Sequence, residues 1–143
     1  MRRGVFLLLL FLAGACAPVS QQSVKTSPVQ EEQVKEELLG ENVPVYPGFK
    51  LIPEKSFIYE SGSVKVGRLV FKGRAPIKEI VSYYKETLPE KGWEPLTITV
   101  YGNSAELTFT TPEKVLQIQV LKGFSETEIV LSLGPKGELT NRE

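Results

Sequence analysis

Ser82 and Lys85 are the clearest pair in this chain whose residue types and spacing could do chemistry. In Ser82-Tyr83-Tyr84-Lys85 a hydroxyl and an amine stand one helical turn apart, where a desolvated lysine would take the proton of an attacking serine. That chemistry needs a dry lysine. Both residues instead flank the polar side of the helical stripe described below, where water keeps an ammonium charged. Gly62-Ser63-Val64-Lys65-Val66-Gly67-Arg68 has the glycine spacing of a phosphate loop but lacks the Lys-Ser/Thr pair that grips phosphate. It also lies between two predicted strands rather than opening a helix, and a hairpin loop accounts for both glycines. The remaining reactive side chain is the sole cysteine, Cys16.

Composition removes several kinds of chemistry. The chain has no histidine, and all 17 of its acidic residues are glutamates. The common zinc and non-haem iron ligand sets are therefore out of reach, as is an EF-hand loop, so no metal and no cofactor are expected. Seventeen Lys and Arg balance those acids, leaving no electrostatic footprint for nucleic acid. One cysteine allows no intramolecular disulfide, so packing must hold the chain together. Ser82-x-x-Lys85 resembles the motif of penicillin-recognising enzymes, but their S-D-N and K-T-G companions are absent and the chain is far too small for that fold.

The N-terminus carries an export address. Arg2 and Arg3 precede an apolar run from Val5 to Leu12, and Ala13-Gly14-Ala15 leads into Cys16. A run this short reads as a signal peptide rather than a membrane-spanning helix. Ala13-Gly14-Ala15-Cys16 resembles the lipobox of bacterial lipoproteins, with alanine in the slot where leucine is favoured. The resemblance implies diacylglycerol on the Cys16 sulfur, cleavage before Cys16 and acylation of the new amino terminus. Two or more acyl chains, at about 0.8 kcal/mol per buried methylene, anchor firmly where one binds marginally. The alternative is an ordinary signal peptide with a chance cysteine. Ala17 stands where aspartate would signal retention in the inner membrane, so the resemblance favours the outer membrane. The expected location is the cell envelope, facing the periplasm.

These landmarks divide the chain into a signal peptide (1–15), a lipidated cysteine and flexible tether (16–42), an α+β domain (43–134) and a C-terminal tail (135–143). The stretch from Ala17 to Asn42 is mostly Ser, Gln, Glu, Lys and Val, and as a random coil it would span about 30 Å. Val34, Leu38 and Leu39 would share one side of a short helix ending at Gly40, either transient in the linker or docked on the domain. Val43-Pro44-Val45-Tyr46-Pro47-Gly48 predicts an extended entry and a turn.

Within the domain the pattern predicts a short strand at Phe49 to Ile52, then Ser56 to Glu60 and Val64 to Lys72 around a Ser61-Gly62-Ser63 loop, with Gly67 marking a bulge that switches faces. Ile77, Ile80, Val81, Tyr84 and Leu88 form one helical stripe after Pro76, and Pro89 and Gly92 end it. Taking Gly102-Asn103 as a two-residue turn sets Val100 against Ala105, Ile98 against Leu107 and Leu96 against Phe109, every pair apolar. A turn at Pro112-Glu113 sets Phe109 against Leu116, Leu107 against Ile118 and Ala105 against Val120. A loop through Gly123-Phe124-Ser125 extends the same face, opposing Val120 to Ile129, Ile118 to Leu131 and Leu116 to Leu133.

The expected fold is an antiparallel sheet of about six strands in the order β-β-α-β-β-β-β, a two-layer sandwich with the single helix across its apolar face and Trp93 at the rim. Tyr83, Tyr101 and Phe124 are candidate exposed aromatics, with rim packing the plainer reading. Arg68 and Lys122 read as solvated charges.

Val45-Tyr46-Pro47-Gly48, Tyr84-Lys85 with Leu88, and Gly92-Trp93 leading into a sheet resemble the small domains of many bacterial envelope lipoproteins. They are similar, too, to the helix-grip domains of BamC-type lipoproteins that accompany outer-membrane protein assembly. The resemblance spans about residues 44 to 134 and implies a fold and a cellular setting, with no catalytic residue to carry over. The expectation is a non-catalytic binding or accessory subunit of an envelope assembly or transport complex, with a membrane and an envelope protein as partners and soluble partners or peptidoglycan as further possibilities. Thr97, Thr99, Thr108, Gln117 and Gln119 on the polar sheet side, and the sheet edges, would be the docking surfaces. Two rival functions are a small hydrolase using Ser82 and Lys85 and a carrier of an apolar ligand between helix and sheet.

Overall fold

The structure, a computed structural model, describes Lys35 and residues 39–137. The expected leader, Cys16 and most of the expected tether lie outside the described residues. Among the described residues beyond Leu39, seven strands and one α-helix follow in chain order: β1 (Lys50–Leu51), β2 (Phe57–Ser61), β3 (Val64–Gly73), α1 (Ile77–Glu90), β4 (Glu94–Val100), β5 (Ser104–Thr110), β6 (Lys114–Lys122) and β7 (Thr127–Pro135). All strands pair antiparallel in one sheet of spatial order β1-β3-β7-β6-β5-β4, with β2 joined to β3. The α+β class expected from sequence holds. Three strands rather than two precede the helix, and the described total is seven rather than about six.

Registers follow from alternation and turn closure. Phe109 opposes Leu116, Leu107 opposes Ile118, and Ile118 in turn opposes Leu131, all on the face that the apolar pattern selects. In the β4–β5 hairpin, Val100 pairs with Ala105 and Ile98 with Leu107, but Pro95 rather than Leu96 faces Phe109. The register shifts between Pro95 and Thr97, so Leu96 is the extra residue of a bulge and is 57% exposed. The bulge expected at Gly67 is absent: β3 keeps an unbroken register with both β2 and β7. Its apolar residues occur at both parities because β3 is buried on both faces, Leu69 and Phe71 on one and Val70 on the other.

Helix α1 buries Ile80, Val81, Tyr84 and Leu88 of the predicted stripe and leaves Ile77, in its first turn, half-buried. It runs through Pro89 instead of stopping before it. The end is set at Gly92, whose φ of 89° is a left-handed conformation that glycine adopts without strain. There Gly92 N donates to Pro89 O and Trp93 N to Leu88 O, the paired bonds of a Schellman cap.

The helix does not roof the sheet alone. It packs chiefly on β4, β5 and β6, while the segment preceding β1 supplies Leu39, Val43 and Phe49 to the same core. The Phe49 ring lies so close to Gly73 that a Cβ there would sit 2.6 Å from Phe49 Cδ2. Lys35 Nζ stands 5.6 Å from the centroid of the Phe71 ring. Lys35 and Leu39 are both helical, and Leu39 is buried, so the packed structure reaches upstream of residue 43.

Candidate functional site

Ser82 and Lys85 are both exposed on the outer side of α1, and no hydrogen bond joins them. Ser82 lines an open groove of about 690 Å³ between the helix and the Tyr46-Pro47 turn, and Lys85 does not reach it. The groove holds both charges, Arg74 and Lys78 with Glu79 and Glu86, and one wall is aromatic. Tyr46 packs edge-on against Tyr83 at 5.1 Å and against Phe49 at 5.3 Å, so the wall belongs to the packing that holds the entry segment on the helix. Tyr83 is half-buried, and its hydroxyl donates to Val45 O at 3.4 Å. Partial burial, then the neighbouring Tyr46, raises its phenol pKa.

Gly62 and Ser63 form a two-residue turn, since Ser61 pairs directly with Val64. Gly62 takes a φ of 60° while Ser63 does not have positive φ, the requirement of a type II′ hairpin. Gly67 lies inside β3. The two glycines therefore serve a hairpin and a strand, and build no loop at a helix start.

A further accessible surface is the side of the sheet turned away from the helix. Over the middle of β3 and β7 it is closed at Val70 and Val130, each 1% exposed. Ser56 Oγ accepts from Val70 N at 3.0 Å, and Lys55 reaches across from its turn to an ion pair with Glu128 at 2.9 Å. Over β4, β5 and β6 the same side is open. Thr97, Thr99, Gln117 and Gln119 are exposed and Thr108 half-buried, as expected of the polar face. Thr97 pairs with Thr108, which pairs with Gln117, so these side chains form one continuous row across three strands.

That panel becomes apolar at one end. Lys122 N donates to Asn103 O, which brings the β4–β5 turn beside the β6–β7 loop. Tyr101, Leu121 and Phe124 cluster around this junction, and Phe124 is fully exposed at its tip. Tyr101 and Phe124 are thus exposed aromatics rather than rim packing, whereas Tyr83 is the one that packs. Sequence reading missed Leu121, Phe57 and Tyr59. Leu121 shares parity with Gln117 and Gln119, and the two-residue turn at Gly62-Ser63 would have placed Phe57 and Tyr59 beside Arg68 and Val66 on the same outer side.

Among the described residues one buried side-chain polar atom has no hydrogen-bond partner. The Tyr84 hydroxyl lies fully inside the core, directed toward the backbone of Tyr46 without completing a hydrogen bond. Burial pushes its phenol pKa far above the usual tyrosine value. Among the described residues no cluster of three potential metal ligands occurs, and no helix is long and apolar enough to cross a membrane. No protein-family model, curated protein or solved structure matches the chain.

Proposed function

We propose that this chain is a lipid-anchored envelope protein that acts by binding rather than by catalysis, as an accessory subunit of an envelope assembly or transport complex. Cys16 carries the anchor in this reading, on a membrane facing the periplasm, with the outer membrane favoured by Ala17. The observation that carries the binding role is the uncovered half of the sheet, a row of Thr and Gln ending in Tyr101, Leu121 and Phe124. Aromatic and aliphatic anchors beside a polar panel are what a protein interface uses. Tyr84, Leu88, Phe109 and Leu116, each 0% exposed, fill the space an apolar cargo would need. Lys85 lies in solvent, where it lacks the desolvation a serine base requires.

Two measurements test the reading. Cys16→Ser should move the protein out of the membrane fraction, and unchanged fractionation defeats the anchor. A photo-crosslinking residue at Gln119 should capture a discrete envelope protein in intact membranes, while the same probe at Glu86 in the opposite layer should not. Equal capture from both positions defeats the docking face.

A further inference from the structure

We propose that the chain forms a two-fold homodimer by pairing the free edge of β4 with the same edge of a second copy. The two borders of the sheet differ in chemistry. On the β1–β2 side the border is broken into two short strands around Pro53-Glu54-Lys55 and carries the Glu60–Lys65 ion pair at 2.8 Å. Charges, proline and short strands are the devices that keep an edge from pairing. Strand β4 has them only at its start, Glu94 and Pro95 with the bulge at Leu96. From Leu96 to Tyr101 the edge carries no charge and no proline, and nothing among the described residues pairs with its outer side.

The backbone fixes which groups are free. Tyr101 N donates to Ser104 O at 2.7 Å. By antiparallel alternation Thr99 and Thr97 turn their backbone groups to β5, so Ile98 and Val100 present theirs outward. Thr97-Ile98-Thr99-Val100-Tyr101 is close to a palindrome in chemistry about Thr99. Antiparallel self-pairing centred there sets Ile98 against Val100 of the second copy, twice, so each outward donor and acceptor at these positions finds a partner. Thr99 meets its own copy and Thr97 meets Tyr101, and no like charges are opposed. Such an isologous contact closes on itself and makes one continuous sheet. It also covers side chains left open in the monomer, Val100 at 51% and Tyr101 at 55% exposure.

Opposed residues of a non-bonded antiparallel pair have Cα atoms about 4.5 Å apart, within disulfide range. In the full-length chain carrying Cys16→Ser, Thr99→Cys should therefore oxidise to a disulfide-linked dimer, while Glu106→Cys, one strand further in, should not. Sedimentation of the full chain in detergent should show dimers, and Val100→Lys, at an exposed position, should weaken them at least about tenfold with an unchanged circular dichroism spectrum. A monomer at about 100 µM, equal crosslinking at positions 99 and 106, or dimers indifferent to Val100→Lys overturns the proposal.

Discussion

The indole Nε1 of Trp93 donates to the backbone oxygen of Asn42 at 2.9 Å, tying the turn that ends α1 to the segment that precedes the sheet. Trp93 is only 3% exposed, and the Schellman bonds at Leu88 and Pro89 fix where its ring enters the core. Trp93→Phe keeps much of the apolar area and removes the donor. The expected cost is about 1–3 kcal/mol from the lost hydrogen bond and the space left behind. Urea unfolding measures it, and amide exchange near Val43 should quicken by more than exchange in β6.

Tyr84 supplies a second prediction, with a definite pH signature. Its buried hydroxyl lacks a partner, so Tyr84→Phe removes a desolvation cost and should raise stability at neutral pH by about 1 kcal/mol. In the wild type the folded pKa is raised above the unfolded value, so the folded state holds a proton that the unfolded chain releases. That contribution is intact below the ordinary tyrosine pKa of 10.0 and is lost as pH climbs beyond it. Stability should fall by up to about 1.4 kcal/mol per pH unit above 10 because of this residue, and the Phe variant should show a shallower decline. Parallel slopes for the two proteins would mean that Tyr84 is not the group responsible.

Why some of this was legible in the sequence and some was not follows from the residues themselves. The β5, β6 and β7 registers could be read because the inward residues of each strand recur at every second position and each turn closes over a countable number of residues. Leu96 misled because Pro95 has no N–H for the ladder, and the bulge beside it breaks the count. Leu39 read as one side of a short helix that could equally stay in the linker, Val43 as an extended entry and Phe49 as the start of a strand, and none of these local patterns shows that all three join the core, because only the assembled β3 surface gives them a place to pack. Val70 read as a face switch because alternation assumes one wet side, which β3 does not have. For the candidate site, the Thr and Gln row followed from pairing arithmetic. The apolar cluster of Tyr101, Leu121 and Phe124 did not, since it depends on two loops meeting through Asn103 and Lys122.

Gly73 tests the roofing of the sheet by the entry segment. An added Cβ would stand 2.6 Å from Phe49 Cδ2 and 2.8 Å from Cγ, so the ring must move. Phe49 is 6% exposed and leans edge-on against Tyr46, which leaves it little room. Gly73→Ala should cost about 1–3 kcal/mol, the usual range for overpacking. Thermal melts check the loss. Combining it with Phe49→Ala should give a cost well below the sum of the two single effects, because the clash disappears with the ring.

The last prediction separates binding from folding at the apolar end of the open sheet face. Phe124 is fully exposed and Leu121 is 44% exposed, so neither side chain contributes much to the core. Phe124→Ser and Leu121→Ser should each leave stability within about 0.5 kcal/mol of the wild type by urea unfolding. If these residues anchor an envelope partner, the double variant should lose about 2 kcal/mol of binding, a roughly thirtyfold drop in capture from intact membranes. Gln119→Ala lies further along the same face and should weaken capture less, because a rim polar group carries less of the energy than a buried anchor. Undiminished capture by the double variant would place the contact elsewhere on the molecule.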